Sequence, residues 1–193
     1  WAVADARGGY VAAGVGGGIT GRGCHILLID DPIKNAEEAD NADTREKLWD
    51  WYGSTAYTRL APGGGVLVIQ TWWHDDDLAG RLQQMMAAAQ PDDEDIDQFE
   101  VVKYPAIAES DEYLDPATLK IVYADPPAGA TLLRSKGDAL HPSRYPLKAL
   151  SKIRALNRKD DGTDGRWWTA LYQQNPVPDD GGYFTKSQFK RAQ

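Results

Sequence analysis

The sequence predicts an α/β protein built on a mostly parallel sheet flanked by helices. Three observations carry this reading, and the first two are that the runs Ile26-Leu27-Leu28-Ile29 and Val66-Leu67-Val68-Ile69 are apolar without a polar alternation. That is the pattern of strands buried on both faces, as in a parallel sheet. The third is the long segment between them, whose apolar residues recur at helical spacing. Two such strands joined through a helix form a β-α-β crossover and run parallel.

Composition narrows the class. A chain of 193 residues holds one domain with a real core, or one domain and an appendage. The net charge of -8 argues against a broad basic footprint for nucleic acid but permits a local basic patch. Cys24 is the single cysteine, so there is no internal disulfide and no cysteine-rich metal site, which suits a reducing compartment. No apolar run approaches the ~20 residues of a membrane span, and no secretory signal is present. The chain opens at Trp1 without an initiator Met, so a fragment of a soluble, cytoplasmic protein is expected.

Taken in order, Tyr10 to Val15 is a small-residue, β-prone run and reads as a strand. The Gly-rich stretch Gly16 to Gly23 is not a phosphate-cradling P-loop, because no Gly-Lys-Ser or Gly-Lys-Thr ends it and a strand follows instead of a helix. Its glycines permit close approach of backbone or of the Arg22 guanidinium to phosphate; a flexible connection with a solvated arginine fits the same residues. The strand at Ile26–Ile29 ends in Asp30-Asp31-Pro32. Carboxylates at the carboxyl end of such a strand stand where open α/β sheets bind ligands. The first holds a magnesium ion, directly or through water, and the second polarises an attacking water. This is the form of a Walker B element; a buried strand followed by a turn with helix-capping acids is the competing reading.

Asp43 and Glu46 have capping-box spacing, and Leu48, Trp51, Tyr52 and Thr55 share one helical face. Pro62-Gly63-Gly64-Gly65 should break that helix. The second strand ends in Gln70-Thr71, placing Thr71 at the same sheet edge as Asp30 and Asp31, where a hydroxyl reports γ-phosphate or orients water. A strand-end Thr bonded to local backbone is the plainer account. In His74-Asp75-Asp76-Asp77 the acids read as helix-capping residues rather than metal ligands, ahead of a helix with Leu78, Leu82, Met85 and Met86 on its buried stripe. Phe99 to Tyr104 reads as a strand. Residues 108–142 read as irregular, with a short hairpin around Leu119 to Tyr123. Pro146 opens a helix with Leu147, Leu150 and Ile153 on one face. Its Lys148, Lys152, Arg154, Arg158 and Lys159 make the most basic stretch, either a solvated face or a contact for a phosphate backbone. Arg166 to Gln174 reads as an aromatic-anchored helix, and Asn175 to Gly182 as an extended linker.

Several stretches together, in this order, resemble the large terminase subunit of tailed bacteriophages and prophages: G-I-T-G-R-G, L-I-D-D-P, R-E-K-x-W-D-W-Y, T-R-L-x-P-G-G, I-Q-T-x-W-H-x-D-D-L-A-G-R-L, and W-x-A-L-Y-Q-Q-N-P-V-P with a trailing G-G-Y-F. The similarity runs from about Gly14 to Phe184 and is weakest from Gln90 to Gly137. The resemblance implies a RecA-like, additional-strand ATPase core that drives double-stranded DNA into procapsids, followed in the full protein by a metal-dependent nuclease of the ribonuclease H type. It implies ATP and Mg2+ as cofactors. The implied partners are double-stranded DNA, the portal protein, the small terminase subunit and further copies in a homo-oligomeric ring, and the implied location is the host cytoplasm. Asp30 then matches the magnesium-associated acid, Asp31 the catalytic carboxylate, and Thr71 the motif that couples hydrolysis to movement. Arg22 matches an arginine that contacts phosphate, acting on a neighbouring subunit's nucleotide.

By the same resemblance, residues 1–145 are the later part of the ATPase core with an irregular insertion at about 108–142. Residues 146–178 are a helical linker subdomain, and 179–193 lead toward a nuclease domain outside the chain. The Walker A segment is expected before Trp1, so this piece alone is expected to be inactive. Two departures stand out: Asp31 is one methylene shorter than the Glu of many packaging motors, and Trp72 stands where close relatives often carry Arg. The alternatives are a RecA-like ATPase or helicase outside packaging, a nuclease using Asp30, Asp31 and Asp75 to Asp77 around two metals, and an assembly module with degenerate sites.

Overall fold

The computed structural model describes residues 8–90, 93, 95–123 and 125–177, and it is a mixed α/β fold. The chain divides into two compact units, residues 1–71 with 76–81 and residues 72–75 with 82–193. The expected linker at 179–193 lies outside the described residues.

In the first unit, β1 (Cys24–Asp30) pairs in parallel with β2 (Leu60–Ile69), with Ile26 opposite Gly65, Leu28 opposite Leu67 and Asp30 opposite Ile69. The crossover between them is α1 (Ala36–Asp40), α2 (Ala42–Trp51), a wide helical turn at Tyr52–Ala56 and a tight one at Tyr57–Arg59. The expected parallel pair and helical crossover are therefore present. The expected strand at Tyr10–Val15 is not, and that segment makes no strand pairing.

Burial on both faces is corrected. Ile29 is buried, but Ile26 is 73% exposed and Leu28, Leu67 and Ile69 are about half exposed. Among the described residues β1 pairs only with β2. Paired residues of a parallel ladder share a face, so Ile26, Leu28 and Asp30 stand on one open face with Gly65, Leu67 and Ile69.

The helix boundaries also move. Asn41, not Asp43, caps α2, its side chain accepting from Thr44 N–H at 3.2 Å, and Asn35 caps α1 from Glu38 N–H at 2.9 Å. α2 is the helix expected after the acidic stretch, starting two residues early, and α1 is an additional short helix within that stretch; Asn at each start competes for backbone N–H groups and sets both boundaries. Leu48, Tyr52 and Ala56 are the buried positions of the second helix and its wide turn. The i→i+5 turn carries four residues per step here, which brings Ala56 rather than Thr55 inward. Pro62 to Gly65 do not break the structure but lie within β2. From Cys24↔Leu60 to Ile26↔Gly65, β1 advances two residues and β2 five, so β2 bulges. Gly64 is held at that bulge because a Cβ would stand 2.8 Å from the His25 carbonyl oxygen.

α3 (Leu78–Ala88) gives its first turn to the first unit and the rest to the second. Met85 is exposed rather than on the buried stripe. In the second unit, β3 (Glu112–Leu114), β4 (Ile121–Val122) and β5 (Thr131–Arg134) form an antiparallel sheet in the order β4-β3-β5. The expected hairpin is β3–β4, and the stretch expected to be irregular holds a third strand as well. Phe99 to Tyr104 forms no strand; Tyr104 N–H instead donates to the Gln174 side chain and Ala106 N–H to the Tyr172 carbonyl. α4 (Leu147–Leu156) packs Leu150 and Ile153 with Trp168, Ala139 and Tyr172, while Leu147 is exposed. Residues 166–172 are helical, as expected.

Candidate functional site

The carboxyl edge of β1 and β2 brings Asp30, Asp31 and Thr71 together. Asp31 N–H donates to the Ile69 carbonyl at 2.9 Å, and Oδ1 of Asp31 accepts from Thr71 N–H at 2.7 Å. Asp31 thus closes the ladder through its backbone and reaches the next residue of β2's exit through its side chain. Its φ of 40° lies in the left-handed region, which Asp and Asn tolerate better than other side chains. That turn directs the chain out of the strand and leaves the second carboxylate oxygen free of the Thr71 bond.

Asp30 is exposed on the open face and has no side-chain partner among the described residues. Mg2+ takes oxygen ligands, keeps several waters and needs one or two carboxylates beside substrate phosphates. Asp30, an exposed carboxylate at a strand end, is an oxygen ligand of the type such an ion takes.

Arg22 is not at this edge. It precedes β1, two residues before Cys24, in an exposed turn whose backbone bonds Ile19. The seven residues of β1 span ~20 Å at the usual strand rise, so Arg22 stands at the far end of the strand from Asp30. Its guanidinium has no partner among the described residues.

The chain leaving Thr71 returns to the first unit through a clamp of which the sequence shows only a part. Asp77 is buried and caps α3, Oδ1 accepting from Gly80 N–H at 3.1 Å, as the capping reading expects; Oδ2 accepts from Gln70 Nε2 at 2.8 Å. Gln70, next to Thr71, is therefore tied to the start of α3. Asp76 takes a fork from Arg81 (2.9 and 3.1 Å) and a further bond from Arg45 at 3.1 Å, and Arg81 also reaches Glu46 at 2.9 Å. The Arg81 hydrogen bonds, then those from Arg45, hold the Asp76 carboxyl below the usual carboxylate range against the opposing effect of burial. The hydrogen bond to Asp76, then that to Glu46, raise the Arg81 pKa against the opposing effect of burial. No spacing rule links Arg45 to Asp76, so this network has no signal in the sequence.

Asp76 and Asp77 are thus consumed by arginines, a cap and an amide, and His74 binds Asp75 at 2.9 Å. Among the described residues no group of three or more His, Cys, Asp and Glu is placed to hold a metal ion. The two-metal reading of these acids gains nothing from the geometry.

In the second unit, Gln173 and Gln174, expected as the end of the aromatic-anchored helix, lie just past its last residue, Tyr172. Gln173 accepts from Ile107 N–H at 3.1 Å and donates to the Ile107 carbonyl at 3.0 Å. With Lys103 and Tyr123 they line a cleft of about 520 Å³. Lys103 lies 4.3 Å from the centre of the Trp72 ring, and burial lowers its pKa.

Among the described residues no helix is long and apolar enough to cross a membrane. No curated protein and no solved structure matches the chain. The family model described as "Terminase large subunit, T4likevirus-type, N-terminal" matches residues 2–131, and those residues include Arg22, both strands, the acid pair and Thr71. The chain belongs to this family of terminase large subunits.

Proposed function

We propose that this chain is part of the ATPase of a phage DNA-packaging motor, with a RecA-like core whose strand-end edge carries the chemistry. Membership of the terminase large subunit family supports a packaging role. The observation that carries the finer reading is the Asp31–Thr71 hydrogen bond across the ends of two parallel strands, because it joins a carboxylate suited to activating water to the segment that leaves the sheet. In this reading Asp30 holds Mg2+, which when bound neutralises charge developing on the phosphates of ATP. Asp31 accepts a proton from the attacking water through the oxygen not engaged by Thr71. Thr71, held to Asp31 at one side and followed into α3 through the Gln70–Asp77 clamp, passes the state of that carboxylate to the rest of the chain. Arg22, far from its own subunit's acids, supplies a guanidinium to a neighbour in a ring. Double-stranded DNA, the portal protein and the small terminase subunit are the partners of such a motor, in the host cytoplasm, with DNA cutting assigned to a nuclease domain.

The test is steady-state ATPase of the intact protein beside an ATP-binding assay. Asp31→Asn is expected to bind ATP normally and to lose ~10²–10⁴ in turnover. Near-normal turnover removes Asp31 from the mechanism.

A further inference from the structure

From Ala139 to Lys159 the chain carries six Lys and Arg and no Asp or Glu, in a protein of net charge -8. One of the six, Arg154, is committed to Asp164 through a fork at 2.7 Å on each nitrogen. Arg144, Lys148, Lys152, Arg158 and Lys159 are all exposed. None of these five makes an ion pair within 4.0 Å among the described residues; Lys159 acts on Asp161 only as a weak, longer-range charge.

Their placement on α4 is specific. Leu150 and Ile153 face the core. At 100° per residue Lys148 and Lys152 project ~160–200° away from Leu150, on the opposite side. The bend after α4 is fixed by Lys159 N–H to the Thr163 carbonyl at 2.9 Å, Gly165 N–H to the Asn157 carbonyl at 2.7 Å, and the Arg154–Asp164 fork. Arg158 and Lys159 are therefore held at the end of the same helix rather than on a free tail.

Helix stability does not account for this arrangement. A helix start favours acids, yet the first turn of α4 has none and carries Lys148, with Arg144 one turn before it. Lys148 and Lys152 are like charges at i,i+4, a spacing that destabilises a helix. Arg158 and Lys159 suit the helix C-terminus, but the cations at the N-terminal end oppose the dipole. Two cations four residues apart lie ~6 Å apart along the helix axis, close to the ~7 Å that one strand of duplex DNA rises over two nucleotide steps.

We infer that the outer face of α4, with Lys148 and Lys152 on the helix, Arg144 in the turn before it and Arg158 and Lys159 at its pinned end, docks on the phosphate backbone of double-stranded DNA without reading its sequence. The inference rests on the packaging reading for its partner, and its test is independent of that reading. Fluorescence anisotropy of the intact protein with duplexes of unrelated sequence, across a salt series, compares wild type with Lys148→Gln/Lys152→Gln. The double variant is expected to weaken binding to every duplex alike and to reduce the slope of log K against log[salt] by ~2, about one for each phosphate no longer neutralised. Lys148→Arg/Lys152→Arg is expected to restore both, and circular dichroism to show the helix intact in each. Unchanged affinity and slope in the Gln variant overturn the inference, as does a wild-type protein that does not bind duplex at low salt. Loss of packaging with unchanged duplex binding also overturns it, in favour of an acidic protein partner. ATPase without DNA is measured in parallel: normal turnover with unaffected DNA binding removes this face alone, and absent turnover with salt-dependent loss of DNA binding removes the ATPase reading alone.

Discussion

Oδ1 of Asp31 accepts the Thr71 backbone N–H at 2.7 Å, at the point where two parallel strands end. The bond uses one oxygen of a carboxylate whose backbone is in the left-handed region. An Asn side chain keeps that oxygen and tolerates that backbone; an Ala side chain does neither. Asp31→Asn is therefore expected to melt within a degree or two of wild type, and Asp31→Ala to lose ~1 kcal/mol for the missing hydrogen bond. The comparison by thermal melting separates chemistry from architecture at this residue. Equal melting of the two variants removes the architectural role.

Asp76 gives a stability that depends on pH. Its folded pKa is depressed by Arg81 and Arg45, so its contribution is fully present above the unfolded-state value of ~3.9 and is lost as pH falls through the lower folded value. Wild type should exceed Asp76→Asn in melting temperature at neutral pH, and the gap should close as acid carries the pH below the unfolded-state value and through the folded one. Because Asp76 is 41% exposed in its side chain, solvent screens the pair; a difference that persists unchanged in acid places the effect elsewhere.

The parts of this geometry that are legible in the sequence are those encoded by local chemistry. Ile26–Ile29 and Val66–Ile69 announce strands because continuous apolar runs bounded by Asp-Asp-Pro and Gln-Thr have few other local solutions. Asp77 announces a cap because an acid before an apolar periodic run satisfies the first N–H groups. The exposure of Ile26 and Leu28 is not legible, since an apolar side chain records what it can pack against and not which face is covered. β3, β4 and β5 are two to four residues long, too short for a period-2 signal. Arg45–Asp76 joins residues 31 apart, and such pairs are set by how the helices pack. Asn35 and Asn41 flank an acidic stretch, and their capping role is masked because the nearby Asp43–Glu46 spacing fits a familiar motif.

The second unit has its own buried ion pair. Glu112 and Arg134 face each other across β3 and β5, with Arg134 Nε and Nη2 2.7 and 2.6 Å from the two carboxylate oxygens and Nη1 3.0 Å from the Pro105 carbonyl. Their side chains are 5% and 11% exposed. Removing one partner leaves an uncompensated charge, so Glu112→Gln or Arg134→Met alone should cost ~3–5 kcal/mol, whereas Glu112→Met with Arg134→Met should recover most of it. Urea unfolding of the four proteins closes this cycle. A double variant no better than the singles would show that the pair contributes more than mutual neutralisation.

Arg22 offers the most demanding test of the motor reading. Glycine flanks it on both sides, with Gly21 at a φ of 79°, and it lies before β1 while the acids lie after it. With seven residues of strand between, or ~20 Å, its guanidinium is remote from the phosphates that Asp30 and Asp31 of the same chain would serve. In the ring proposed above, Arg22 would act on the next subunit's nucleotide, where a guanidinium supplied in trans stabilises transition-state charge by ~10³–10⁵ in rate. Arg22→Ala and Asp31→Asn should each abolish most ATPase when uniform in the ring. Mixed one to one, about a quarter of interfaces combine an intact Asp31 with an intact Arg22 if the two chains assemble at random in a cyclic oligomer. The mixture should accordingly regain up to about a quarter of wild-type ATPase, since turnover is counted per competent interface. Sedimentation of the mixture confirms that rings form. Rings without regained activity exclude the action of Arg22 between subunits.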